Sequence, residues 1–266
     1  SIGWPFWATT AVTLLLIWVY TYKGGIKTIV WTDTLQTFFL LAAVVWTVLL
    51  LYPAVVPDGQ SLMGYWNENP LGRIFFFNNP SEPTYFWKQF VAGIFITIAM
   101  TGLDQDMMQK NLTCRSLPEA QKNMLWFSVV LIGVNVLFLF LGILLNDYAV
   151  AEGIAARGDS LYPTVALAGY LPPLAAGIFV IGLIAAAYSS ADSALAALTT
   201  SFSVDILEVD RMPEEQAVRT RRWVHVGTTV AMAVVIVLFQ SLSNDSVVNG
   251  VFKAAGYTYG PLLGLF

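Results

Sequence analysis

The sequence predicts an all-α polytopic membrane protein with seven transmembrane helices, and three observations carry that expectation. The 266 residues are 57% apolar and 11% charged, with a mean hydropathy of +0.67. A soluble domain carries about 25% charged residues and solvates its surface with them. The chain also contains seven apolar runs close to the ~20 residues that a helix needs to cross a bilayer. Finally, the basic residues gather in alternate connections between those runs. The same composition excludes other classes. Disorder requires low hydrophobicity and high net charge, and the formal net charge here is −4. Nucleic-acid binding requires a basic face, whereas the isoelectric point is about 4.9. One cysteine, Cys114, forms no internal disulfide, and one histidine, His225, makes no Cys/His-rich metal site.

In chain order the runs are 3–22, 29–52, 87–103, 122–146, 171–200, 223–242 and 249–266. The stretches 34–57 and 123–146 each hold 24 residues without a charge. The third run is different. Only 15 residues, 89–103, separate Lys88 from Asp104, with Gly93 inside and Gly102 near the end. A short span interrupted by glycine has two readings, a broken helix lining a site or an intact helix with Lys88 snorkelling at one end. Placing the connection at 23–28 in the cytoplasm and alternating from there puts nine basic residues inside and four outside, as the positive-inside rule requires. The whole of 1–266 then forms one membrane domain. Segments 53–86 and 147–170 are extracellular, and 104–121 and 205–222 are cytoplasmic. Aromatics such as Trp66 and Phe75–Phe77 in the first outer segment fit either an interfacial belt or a cap over an outward vestibule. The chain opens at Ser1 in one apolar run and closes at Phe266 in another, so a segment truncated at both ends from a longer membrane protein is expected.

Polar groups within the runs single out candidate functional residues, because ionisable side chains are expensive in a bilayer. Asp33, Gln36 and Thr37 share one face at helical spacing. Asp33 reads either as part of a site or as a carboxylate at a helix start, where the dipole favours it. The stronger signal is 185–194, AAAYSSADSA. At 100° per residue, Ala186, Ser189, Ser190 and Ser193 fall on one arc, with Asp192 at its edge. Hydroxyls, carbonyls and carboxylates are the ligands of hard cations. Close helix packing explains the Ala and Ser residues equally well but explains Asp192 poorly.

Four stretches together resemble the sodium/solute symporter family. Gly24-Gly25-Ile26-Lys27 followed by Thr32-Asp33 and Gln36 is similar to the family's G-G-x-K-x-x-x-x-T-D-x-x-Q segment. The run 104–110, DQDMMQK, followed by Glu119-Ala120-Gln121-Lys122, is similar to the cytoplasmic end of a helix that carries part of the substrate gate. The run from Ala186 to Ser193, with Asp205 after it, resembles the S-[ST]-x-D-S segment. Gly256-Tyr257-Thr258-Tyr259-Gly260-Pro261 fits too. The resemblance implies the leucine-transporter fold of two inverted five-helix repeats, with the seven runs as core helices 4 to 10. It implies a sodium (Na+) site at the Ala186 carbonyl and the Ser189 and Ser190 hydroxyls, completed by helix 1. It also implies a second sodium or coupling site at Asp33, Asp192 and Ser193, and a substrate or gate role for Asp104. The sugar-transporting branch places a lysine in the helix matching 122–146. Here no lysine follows Lys122, and Asn135 is the main polar residue, a second candidate for substrate contact.

The expected function is sodium-coupled symport of a small organic solute by alternating access, in a multi-pass protein of the plasma membrane, or of the inner membrane in a bacterium. Sodium is the coupling ion, the lipid bilayer the environment, and neither nucleic acid nor a protein partner is implied. Proton coupling through Asp33 and Asp192 is the alternative. An enzyme is not expected: Asp159 and Ser160 lie in an outer segment with no histidine near them in sequence.

Overall fold

The computed structural model describes residues 5–242 and 247–264; the side chains of 20–30, 109, 242, 247–249, 251–253, 262 and 263 lie outside the description. All regular structure among the described residues is helical. The principal elements are α1 (Phe6–Val55), α2 (Leu62–Glu68), α3 (Phe86–Gly102), α4 (Gln105–Leu112), α5 (Leu117–Ala151), α6 (Leu161–Leu167), α7 (Pro173–Ser201), α8 (Glu214–Leu242) and α9 (Val247–Gly264).

Helix α1 departs from expectation. The runs 3–22 and 29–52 were expected as two spans with a cytoplasmic turn at 23–28, yet the backbone is one 50-residue helix, about 75 Å long at 1.5 Å per residue. No proline stands between Pro5 and Pro53, so every interior residue retains the N–H that a continuous helix needs. Gly24 and Gly25 weaken the helix by about 1 kcal/mol each without blocking it. Among the described residues, four helical segments are long and apolar enough to span a membrane: Trp31–Val55, Leu117–Ala151, Pro173–Ile206 and Glu214–Ser241. The count becomes five when α3 and α4, bent by 56°, are taken as one broken span.

The short third run therefore ends in a break. Leu103 closes α3, and Asp104, in extended conformation, starts α4 as its N-cap. The Asp104 carboxylate accepts the backbone N–H groups of Asp106 at 2.9 Å and Met107 at 3.3 Å, satisfying donors that a helix start leaves open. Helices α5 and α7 each begin with proline in the first turn, where the missing N–H costs nothing. Beyond Ser201, α7 widens into a π turn at Phe202–Ile206 and stops before Glu208, whose φ is +50°.

Helices α1 and α7 lie antiparallel, as three contacts along them show. Gly182 meets the Phe39–Ala43 stretch, Ser189 meets Asp33, and Leu195 packs with Leu14 and Ile17. At Gly182 an added Cβ would lie 3.0 Å from the Ala43 Cβ and 3.2 Å from the Phe39 carbonyl oxygen, so the close crossing leaves almost no room beyond glycine. The larger core sits at the expected outer end, where Val44 and Leu51 of α1, Phe140, Leu141 and Leu144 of α5, Val165 of α6 and Phe179 of α7 interlock. Trp66 stacks on Phe140 at 6.1 Å. Tyr65 donates its hydroxyl to Asp147, and Asn69 donates to the same carboxylate at 2.5 Å, pinning the first outer segment to α5. Thr47 is buried and shares a 2.8 Å hydrogen bond with Tyr162 of α6. Large apolar side chains such as Phe95, Trp126 and Ile132 are exposed, as lipid-facing surfaces require.

Candidate functional site

The chemistry gathers where α4 crosses the α1–α7 pair. Asp33 stands well inside α1, not at a helix start, so the helix-dipole reading of this residue has no structural basis. The Ser189 hydroxyl donates to Asp33 Oδ1 at 2.7 Å. Lys110 Nζ approaches Asp33 Oδ2 at 3.0 Å, Asp106 Oδ2 at 3.2 Å and Ser193 Oγ at 2.8 Å. The side chains of Lys110, Asp33 and Asp106 retain 27%, 18% and 24% of their exposure, so the cluster is half-buried and strengthened by incomplete solvent screening.

Helical spacing explains the convergence. Ser189 and Ser193 are one turn apart on α7, and Asp106 and Lys110 one turn apart on α4; such pairs lie on one face. Asp104 fixes the start of α4 and thereby the direction in which Lys110 reaches. Two clefts flank the cluster. The larger, about 650 Å³, is lined by Asp104, Asp106, Lys110, Ser189, Ser190 and Ser193, together with apolar residues of α3, α4 and α7. The smaller, about 460 Å³, is lined by Asp33, Thr34, Thr37, Lys110, Thr113, Cys114 and Asn123. Lys110 contributes to both walls.

Of the residues singled out from sequence, Asp33, Ser189 and Ser193 meet in one hydrogen-bonded cluster. Ser190 is exposed on the cleft wall, and Ala186 lies one turn from Ser190. Asp104 lines the cleft while its carboxylate caps α4. Asp192 is fully buried and is not among the residues that line either cleft. Asn135 stays apart: it is exposed on α5 and donates to its own helix at Leu131 O, 2.8 Å. The Gly256–Pro261 motif falls on α9. Sequence reading placed Lys110 and Asp106 in the cytoplasmic segment and in the 104–110 motif run, but gave neither a role of its own. The available signal was the carboxylate at 33: a charge on a membrane helix needs a counter-charge, and 106–110 offers an Asp/Lys pair at i, i+4 beside the shortest span.

These features define a helical membrane bundle with a half-buried ionic cluster between two clefts. The sequence profile of the sodium:solute symporter family matches residues 1–266, and the chain belongs to that family. Its members are multi-pass membrane transporters of the plasma or inner membrane, not enzymes. Similar proteins include the human sodium-coupled monocarboxylate transporter 1, 24% identical over 99% of this chain and 44% of the relative. The human sodium/iodide cotransporter is 23% identical over 99% of this chain and 42% of its own length. The sodium/sialic acid symporter NanT of Aliivibrio fischeri is 25% identical over 93% of this chain and 50% of its own. The chain thus spans about half, or less, of the length of these relatives. No solved structure matches it at a significant level.

Proposed function

We propose that the full-length protein is a sodium-coupled symporter that carries a small organic solute by alternating access, and that Asp33, Ser189 and Ser193 are cation ligands. The observation that carries this reading is the Asp33 carboxylate held at 2.7 Å by the Ser189 hydroxyl across the α1–α7 interface. A hydroxyl can donate to a carboxylate and still offer a lone pair to a cation, so the pair makes a preformed oxygen-lined position. Ala186, Ser189 and Ser190 supply half of a first sodium site, with backbone from a helix outside this segment supplying the rest. Asp33 and Ser193, with Asp192 next to Ser193 in sequence, belong to a second. Asp104 sits on the larger cleft wall as a gate or substrate contact. Asn135, on the outer face of α5, fits a substrate role only if a further segment covers that face.

Sodium binding drives transport only through its different affinity for the outward-open and inward-open states. The membrane potential adds about 2.3 kcal/mol per charge per 100 mV. The relatives' names, which specify sodium with monocarboxylates, iodide and sialic acid, support sodium over proton coupling and put small anions first in a substrate panel. The test is uptake of such a panel into proteoliposomes holding the full-length protein, with an inward sodium gradient, a proton gradient or neither. Saturable uptake that requires sodium is expected. Uptake driven by the proton gradient alone would refute the reading.

A further inference from the structure

Lys110 Nζ occupies the space between Asp33, Asp106 and Ser193, and its three N–H donors are matched by three oxygens at 3.0, 3.2 and 2.8 Å. An ammonium group has three donors and no more. It therefore makes, from a side chain, the contacts with Asp33 and Ser193 that a small monovalent cation would make. Two of the three bonds tie α4 to other helices, Asp33 on α1 and Ser193 on α7. The third joins Asp106 on α4 itself.

The charges show what a mobile cation would change. Among the described residues one ammonium is shared between two carboxylates, which leaves one negative charge unbalanced in a half-buried place. If sodium takes Asp33 and Ser193, Lys110 keeps Asp106 as its partner in an i, i+4 pair within one helix. Two neutral pairs then replace one shared cation, and no charge is stranded. The exchange also removes both bonds from Lys110 that tie α4 to α1 and α7. Helix α4 already stands beyond a 56° break from α3, and Lys110 lines both clefts.

We infer that Lys110 is a tethered competitor of sodium: its ammonium holds Asp33 and Ser193 when sodium is absent, and sodium displaces it onto Asp106 and frees α4. Lys110 is thus a positioning residue that joins ion release to movement of α4. The inference rests on the reading of Asp33 and Ser193 as cation ligands.

The experiment replaces Lys110 by Cys in full-length protein in which Cys114 and any cysteine outside this segment are Ser. The folded protein is then alkylated in two ways. With 2-bromoethylamine the thiolate displaces bromide, giving an ammonium side chain of lysine length. Iodoacetamide gives a neutral one. Equilibrium binding of radioactive sodium to the purified protein is measured for both. The neutral form is expected to bind sodium about three- to tenfold more tightly than the ammonium form, the scale of a partly screened ion pair. Equal affinities, or tighter binding by the ammonium form, would overturn the inference. Asp33→Asn, measured beside them with Lys110 intact, separates the two failures. Weaker sodium binding in Asp33→Asn together with no response to the charge at position 110 removes only the role of Lys110. Unchanged sodium binding in Asp33→Asn removes the cation site itself, and the competitor with it.

Discussion

The Ser189–Asp33 bond is the sharpest point at which the proposed site can be tested. Ser189→Ala removes a hydroxyl that donates at 2.7 Å to a carboxylate of 18% side-chain exposure. Hydrogen bonds to a charged group contribute about 1.5–3 kcal/mol. Residual exposure discounts that toward about 1–2 kcal/mol, because solvent screens the pair. Asp33 keeps its contact with Lys110, so the fold should persist, with a lower melting temperature in detergent but near-normal expression. If the same hydroxyl also ligates sodium, half-maximal uptake should require about 5- to 30-fold more sodium, since 1.4 kcal/mol corresponds to a factor of ten. Asp33→Asn keeps the shape and loses the charge, and should raise the sodium requirement by at least about tenfold. Because one bond joins the two residues, the double variant should fall short of the product of the single effects by a coupling of about 0.5 kcal/mol or more. The assay is sodium-dependent uptake in proteoliposomes, normalised to protein inserted. Sodium curves that match wild type in both single variants, or strict additivity in the double variant, would refute the reasoning.

Three further outcomes are expected. Gly182→Leu should separate α1 from α7 at their closest approach and lower stability by about 1–3 kcal/mol, whereas Gly182→Ala should cost less, because its Cβ meets Ala43 at 3.0 Å and needs only a small shift; thermal unfolding in detergent distinguishes them. Burial first, and then the adjacent Asp147 carboxylate, raises the Tyr65 phenol above its ordinary value of 10.0; its contribution to stability is therefore complete below about pH 10 and is lost as pH rises through the higher folded value. Tyr65→Phe should destabilise the outer segment at pH 7 by about 1 kcal/mol and flatten the alkaline fall, as amide exchange near 62–69 would report. Single cysteines at 211, 219, 221 and 222 should react with an impermeant reagent only from the cytoplasmic side, and cysteines in 147–170 only from outside; labelling of position 219 in intact cells would overturn the orientation.

Composition and apolar run length determined on their own that this is a helical membrane protein, and the oxygen-bearing stripe from Ala186 to Ser193 showed which polar side chains share a helix face. These properties are local: run length sets whether a helix can span a bilayer, and the 100° step sets which side chains share a face. The family motifs were legible for the same reason, as short contiguous segments. Element limits were less so. The two runs flanking Gly24-Gly25 form one helix because nothing between Pro5 and Pro53 removes a backbone donor, and a glycine pair leaves both outcomes within about 2 kcal/mol. The partners of the charges belong to the tertiary structure alone. Asp33 and Ser189 are 156 residues apart, and Lys110 and Ser193 are 83 apart. Their meeting depends on the antiparallel crossing at Gly182 and on the break at Leu103 that turns α4 toward α7. Neither a crossing angle nor a break direction is encoded in residue spacing, because both follow from how surfaces of distant segments pack. That is why Lys110 read as a loop charge in the sequence and stands at the centre of the ionic cluster in the fold.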